Sequence, residues 1–137
     1  MKEKKLIGIM LGLIYALLII HGLALWFYLY WVYAWFDIMT HFMGGLWVGF
    51  ATIWLFYYSR FKLAKDSPFF ARSLITVLLS MLVVGILWEV YEVVTLLILG
   101  AEFPAGYLGD TILDVIMDMT GALTAYGIAA YFNLIGK

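Results

Sequence analysis

The stretch SLITVLLSMLVVGILWEVYEVVTLLIL, residues 73–99, decides the fold because it is long, apolar and free of lysine and arginine. A membrane-spanning helix needs about 20 predominantly apolar residues, and this stretch exceeds that length. Two carboxylates, Glu89 and Glu92, nevertheless lie inside it. The stretch therefore predicts a transmembrane helix whose acidic groups serve a purpose other than solubility.

The composition of the whole chain agrees with a membrane location. The chain has 137 residues, of which 66% are hydrophobic and 12% are charged, and its mean hydropathy is +1.04. Soluble domains are about half apolar and about a quarter charged, so a soluble fold is excluded. The chain has no cysteine, which excludes disulfides, thiolate metal sites and cysteine nucleophiles.

Three further segments have the length and apolar character of a spanning helix. With residues 73–99 extended slightly, the predicted helices cover about 6–30, 37–58, 69–99 and 109–134. The first two are separated at YWVYAWF, residues 30–36, where aromatic residues cluster as they do at a membrane interface. We therefore expect one transmembrane domain over residues 1–137, an all-α integral membrane four-helix bundle.

The start of the chain also resembles a signal peptide. MKEKK precedes an apolar run, as in the first two regions of a secretory signal. The apolar character continues past Gly22-Leu23-Ala24, the only candidate cleavage site. We therefore expect this segment to remain as the first helix.

The basic residues predict the orientation of the bundle. They lie at the start of the chain, around the second connection and at the last residue: Lys2, Lys4, Lys5, Arg60, Lys62, Lys65, Arg72 and Lys137. Connections rich in lysine and arginine stay in the cytoplasm. Both termini and the 60–72 loop are therefore expected to be cytoplasmic (N-in/C-in), in a multi-pass protein of the inner, cytoplasmic membrane.

The carboxylates and histidines inside the predicted helices all fall in the outer half of the bilayer. They are six carboxylates and two histidines: Asp37, Glu89, Glu92, Asp110, Asp114, Asp118, His21 and His41. At 1.5 Å rise per residue and in the predicted orientation, none lies deeper than about 15 Å from the outer helix ends. A charged carboxylate at the bilayer centre costs about 2.5–3.5 kcal/mol on insertion scales. A group of this size therefore indicates a functional site.

The spacing of these groups predicts a single acidic pocket. Asp37 and His41 are four residues apart, Glu89 and Glu92 are three apart, and the three aspartates of the last helix follow at intervals of four. Each set shares a helix face. No lysine or arginine is within reach, so either several carboxyl groups are protonated or a metal cation binds among them.

A mixture of carboxylate and imidazole ligands favours Zn²⁺, Mn²⁺ or Fe²⁺ over Ca²⁺. All eight groups are candidate ligands of one or two ions, and Glu89 and Glu92 are also candidate general bases. Simpler roles remain open for three of them. Asp110 and Asp37 are placed to cap helix N-termini, and His21 is placed to be a hydrogen-bonded packing residue.

Three motifs carry a resemblance to a known group of proteins. FDIMTHFMGG at 36–45, WEVYE at 88–92 and GDTILDVIMDMTGAL at 109–123 resemble the YjdF-like and VanZ-like membrane proteins of bacteria and archaea. The similarity covers about residues 37–127, and the last motif is closest to the YjdF-like group. The resemblance implies a small polytopic membrane protein whose activity is poorly defined.

The sequence leaves three functions open. The first is a metal-dependent hydrolase at the outer leaflet, acting on a lipid or lipid-linked substrate. The second is a cation or proton transport protein, because intramembrane acids often form ion sites. The third is a non-catalytic interaction protein stabilised by its metal. We expect membrane lipids as partners and no nucleic acid. The glycine-rich faces around Gly44, Gly45, Gly49 and Gly121 predict close helix packing and are also candidate contacts of a homo-oligomer.

Overall fold

The computed structural model describes residues 1–59 and 70–135, and all regular structure in these ranges is helical. The helices are α1 (Lys2–Trp26), α2 (Leu29–Val32), α3 (Ala34–Tyr57), α4 (Phe70–Leu99) and α5 (Tyr107–Tyr131). Four of them, α1, α3, α4 and α5, are long and apolar enough to cross a membrane. The predicted all-α membrane bundle is confirmed.

The connection between the first two spans differs in detail from the predicted one. α1 ends at Trp26, earlier than expected, because Tyr28 takes a left-handed conformation with φ 57° and breaks the helix. One helical turn, α2, follows, and the extended Tyr33 then leads into α3. The aromatic stretch is thus a short helix between two breaks.

Part of the predicted orientation falls on residues that are not described. Arg60, Lys62 and Lys65 of the second connection lie outside the described residues, as does Lys137. The cytoplasmic placement of this connection and of both termini therefore stays a prediction.

The long helices are not packed symmetrically. α3 contacts each of the other long helices, and α4 contacts α5, so α3, α4 and α5 form a mutually packed core. In the described chain, α1 contacts α3 and the short helix α2. The polar groups of the three core helices are consequently brought together, whereas α1 lies at the side.

Small residues allow α3 and α5 to approach very closely. A Cβ added to Gly45 would lie 2.8 Å from the backbone carbonyl carbon of Asp118, and one added to Gly121 would lie 2.8 Å from the backbone nitrogen of Leu46. A Cβ at Gly49 would lie 2.7 Å from that of Ala125. Small residues at such positions let helix backbones touch in a membrane. These glycines form contacts between two helices of one chain, and the oligomeric state remains a prediction.

This contact fixes how α3 and α5 are rotated about their axes, and it makes a strong stability prediction. Gly121→Ala should lower the free energy of unfolding by about 1–3 kcal/mol, because the new methyl group meets the backbone of α3, which cannot move aside. Thermal unfolding in detergent, followed by circular dichroism, measures the effect.

Gly12→Ala is the matched control, because a Cβ at Gly12 meets nothing within 4 Å. It should be neutral or slightly stabilising, since alanine is the better helix former by about 1 kcal/mol. Equal melting temperatures for the two variants would contradict the close contact.

An apolar core fills the half of the bundle away from the acidic residues. Its buried members include Phe50, Ile53, Val77, Met81 and Ala129. One buried hydrogen bond crosses this half, between the hydroxyl groups of Ser73 and Tyr126 at 2.8 Å. The helices are therefore closely packed below the acidic residues, which lie towards the other end.

Candidate metal centre

α3 contributes a carboxylate and an imidazole from its first two turns. Asp37 and His41 are four residues apart and share a face, and Asp37 Oδ1 lies 3.7 Å from His41 Nε2. The Asp37 side chain is 30% exposed, whereas that of His41 is 7% exposed. His41 is therefore enclosed by the bundle, and Asp37 lies at its opening.

α5 places one aspartate on each side of the same imidazole ring. Asp114 Oδ1 lies 3.9 Å from Nε2 of His41, and Asp118 Oδ1 lies 3.4 Å from Nδ1. The close packing of α3 on α5 brings these side chains together. The two ring nitrogens consequently have different neighbours: Asp37 and Asp114 surround Nε2, and Asp118 faces Nδ1.

Three of these side chains form a group of suitable size for a metal ion. One donor atom each from Asp37, His41 and Asp114 lies within 4.8 Å of the other two. Zn²⁺ binds such atoms at about 2.0–2.2 Å in a tetrahedral arrangement, so its ligand atoms lie about 3.4 Å apart. Inward movements of about half an ångström by each side chain would give a coordinating geometry.

The burial of the carboxylates makes their negative charges energetically unfavourable. Asp114 is 2% exposed and Asp118 is 4% exposed, and Asp114 Oδ1 has no hydrogen-bond partner among the described residues. His41 Nε2, at 3.9 Å, is beyond hydrogen-bond distance of this oxygen, and a buried charge without a hydrogen bond costs several kcal/mol. The sequence offers no lysine or arginine between Leu6 and Ser59 or between Ser73 and Gly136. A bound cation would compensate this cost.

Glu89 of α4 adds a further carboxylate beside the group. It is 9% exposed, and neither of its carboxylate oxygens has a hydrogen-bond partner among the described residues. It lies next to the Thr111 side chain and close enough to His41, Asp118 and Asp37 to interact with their charges. Glu89 therefore faces the same interior as the three-residue group.

The remaining predicted site residues lie outside the three-residue group. Glu92 accepts a 2.8 Å hydrogen bond from Trp88 Nε1, one turn earlier on α4. His21 Nδ1 lies 2.6 Å from the hydroxyl of Tyr30. Asp110 is exposed in the first turn of α5. The structure thus brings Asp37, His41 and Asp114 together, with Asp118 and Glu89 beside them. The other three residues lie outside this group but close enough to interact with the charge of Asp37.

Two tyrosines that were not predicted from the sequence line the site. Tyr30, between the first two spans, is near Asp37, Glu92 and Thr40. Burial raises the pKa of the Tyr30 phenol, the hydrogen bond with Thr40 opposes this, and the two carboxylates raise it further. Tyr30 is therefore protonated at neutral pH and is a hydrogen-bond donor at the opening.

The second tyrosine is Tyr107, whose hydroxyl is buried without a partner among the described residues. It lies near Glu92, Glu89 and Thr111. Tyr107, Thr111 and Asp114 follow one another at intervals of four and three residues, so their common helix face is a signal that the sequence contains.

Comparison with known proteins gives one match. A family model described as "Predicted membrane protein (DUF2238)" matches residues 3–134. No curated protein and no solved structure matches the chain.

Proposed function

The chain belongs to the DUF2238 family of predicted membrane proteins, and we propose that it binds one divalent metal ion between Asp37, His41 and Asp114. The enclosed Asp114 carboxylate carries the proposal. It is almost completely buried, one of its oxygens lacks a hydrogen-bond partner among the described residues, and it lies within reach of two further donors. A cation at this point supplies the partner that buried carboxylates need.

The ligands favour a particular kind of ion. Two carboxylates and one imidazole suit Zn²⁺, Mn²⁺ or Fe²⁺. The described residues contain one such group, which favours a single ion over two. Three protein ligands leave a coordination position open, as in catalytic rather than structural zinc sites.

An open position beside an unpartnered carboxylate supports hydrolysis. A metal ion at this site would polarise a substrate oxygen and lower the pKa of a water molecule. Glu89 would accept the proton of the attacking water and return it to the leaving group as the substrate bond breaks. Glu92, the other candidate base, is held by Trp88, so Glu89 is the stronger candidate.

A lipid or lipid-linked molecule is the proposed substrate. The site is built within apolar helices. Trp88, whose ring lies near that of His41, is 43% exposed, and Ile112, on the same helix as Asp114, is 54% exposed. Lipid chains can lie against this surface while the reacting group enters past Asp37. In the predicted orientation, this opening is in the outer half of the cytoplasmic membrane.

The packing of the inner half favours this function over transport. Phe50, Ile53, Val77 and Met81 are buried together on the other side of Asp118. A transported ion needs polar groups on both sides of its binding site. The buried polar side chains described there, among them Thr52, Ser59 and Ser73, carry hydroxyl groups and no charge.

Within the DUF2238 family, we also propose that the chain is related to the YjdF-like and VanZ-like proteins. It is supported by the residues of the site, because Asp37 and His41 come from FDIMTHFMGG, Glu89 from WEVYE, and Asp114 and Asp118 from GDTILDVIMDMTGAL. The three motifs thus meet at one place in the fold.

Metal analysis combined with a turnover assay tests the proposed function. Protein purified in detergent without chelator should contain about one divalent ion per chain, measured by inductively coupled plasma mass spectrometry. Metal-loaded protein should hydrolyse a member of a panel of phospholipids and polyprenyl phosphates in mixed micelles, detected by mass spectrometry of both products. Chelator should abolish this turnover and the same metal should restore it.

Each negative result has a separate meaning. A protein without metal and indifferent to chelator would contradict the metal centre and favour protonated carboxyl groups. A protein with stoichiometric metal and no turnover on any member of the panel would favour the non-catalytic, metal-stabilised alternative.

A further inference from the structure

We propose that Asp118 is a positioning residue of the metal centre, holding His41 so that Nε2 faces the ion, and is not itself a ligand. This inference rests on the proposed metal centre. It assigns different tasks to the two buried aspartates of α5, although both were candidate ligands on sequence grounds.

The positions of the ring nitrogens support this division. Asp118 Oδ1 faces Nδ1 of His41 at 3.4 Å, whereas Asp37 and Asp114 face Nε2. The two nitrogens lie on different sides of the imidazole ring. An ion bound at Nε2 with Asp37 and Asp114 is therefore separated from Asp118 by the ring itself.

The chemistry of histidine gives this arrangement a function. A neutral imidazole has one nitrogen that donates a proton and one that offers a lone pair. A carboxylate beside Nδ1 keeps the proton there, so the lone pair is at Nε2. Carboxylates that accept a hydrogen bond from a metal-binding histidine fix its tautomer and its orientation and make it a stronger ligand.

The Asp118 carboxylate occupies a space formed by glycines. A Cβ added to Gly85 of α4 would lie 3.0 Å from Asp118 Oδ2, and one added to Gly44 of α3 would lie 3.9 Å from Oδ1. Gly85 thus leaves room for one oxygen while the other reaches His41. Any side chain at this position pushes on the carboxylate that orients the histidine.

Metal affinity and the metal's ligands provide the test. Competition with a chromogenic chelator measures the affinity for Zn²⁺ or Co²⁺, and X-ray absorption counts the ligand atoms. Asp118→Ala should weaken binding about 10- to 100-fold. Asp118→Asn should weaken it less, because its amide oxygen can also accept a hydrogen bond from Nδ1. Metal-saturated Asp118→Asn should keep every wild-type ligand atom, whereas Asp37→Asn should not.

A double-mutant cycle separates positioning from a general loss of stability. Gly85→Ala should weaken metal binding in the wild-type background and have no further effect on metal binding in the Asp118→Ala background, because it acts through the displaced carboxylate. Gly12→Ala, which meets open space on α1, should change binding in neither background. Melting temperatures of the metal-free variants show whether each one folds.

The outcomes distinguish this inference from the one beneath it. A wild-type protein that binds no metal contradicts the metal centre and this inference together. Wild-type affinity in Asp118→Ala, or equal effects of Gly85→Ala in both backgrounds, overturns the positioning role alone. Loss of a ligand oxygen in Asp118→Asn also overturns it, since Asp118 would then be a ligand.

Discussion

Asp114→Asn should reduce the metal content of the purified protein from about one ion per chain to a small fraction of that, and should remove the stabilisation that the metal provides. Asp114 is the most deeply buried of the three proposed ligands, and an amide is a much weaker ligand than a carboxylate. A metal ion present at 100 times its dissociation constant stabilises the folded protein by about 2.7 kcal/mol. Metal analysis, and melting temperature with and without chelator, measure both effects.

Asp110→Asn is the matched control. Asp110 is one turn earlier on the same helix, carries the same charge and is exposed, so its substitution should leave metal content and chelator sensitivity unchanged. The competing explanation, protonated carboxyl groups, predicts a different pattern. In that case Asp114→Asn replaces a buried acid with a neutral isostere, the protein melts at the same or a higher temperature, and chelator has no effect on either variant.

The part of the site that the sequence could predict depends on spacing along single helices. Asp37 and His41 are four residues apart, so one helix was enough to place them on a common face. Asp114 and Asp118 are related in the same way on α5. The glycines of α3 and α5 then predicted close packing, and the structure shows them in contact. These local rules explain why the two pairs meet.

The rest depended on the rotation and position of the helices, which spacing does not determine. Successive residues at intervals of four drift by about 40° around a helix, and Asp110 is about 80° from Asp118 and in the first turn as well. It is exposed, although it belongs to the same series. His21 is on α1, which lies beside the core, and the break at Tyr28 brings Tyr30 next to it.

The different roles of the two aspartates beside His41 were also out of reach of the sequence. Which ring nitrogen faces which carboxylate depends on the side-chain conformation of His41 and on the space that Gly85 provides. Gly85 precedes the first carboxylate of its helix by four residues and therefore shares its helix face. A glycine in an apolar helix nevertheless carries no specific signal, and Gly85 was not predicted from the sequence to belong to the site. We infer the distinction between a ligand and its orienting partner from the packing of three helices around His41.

Glu89→Gln should lower the turnover of the metal-loaded protein by about 10²- to 10⁴-fold, the usual contribution of a general base, while leaving about one metal ion bound. Glu89 has two buried oxygens without partners among the described residues and lies outside the three-residue group. An amide of the same shape cannot accept a proton from water, but it fills the same space. Stability should be unchanged or higher, because a buried acid without partners is replaced by a neutral group.

Glu92→Gln is the matched comparison, since it makes the same chemical change one turn further along α4. Its side chain is held by the Trp88 indole, and the glutamine oxygen can accept the same hydrogen bond, so turnover should fall less than tenfold. Initial rates under saturating substrate, on protein whose metal content has been measured in the same sample, separate loss of the base from loss of the ion. If Glu89→Gln retained full turnover, Glu89 would not be the base. If the variant lost its metal together with its activity, Glu89 would belong among the ligands. The ion would then have one open coordination position fewer than the three-residue group implies.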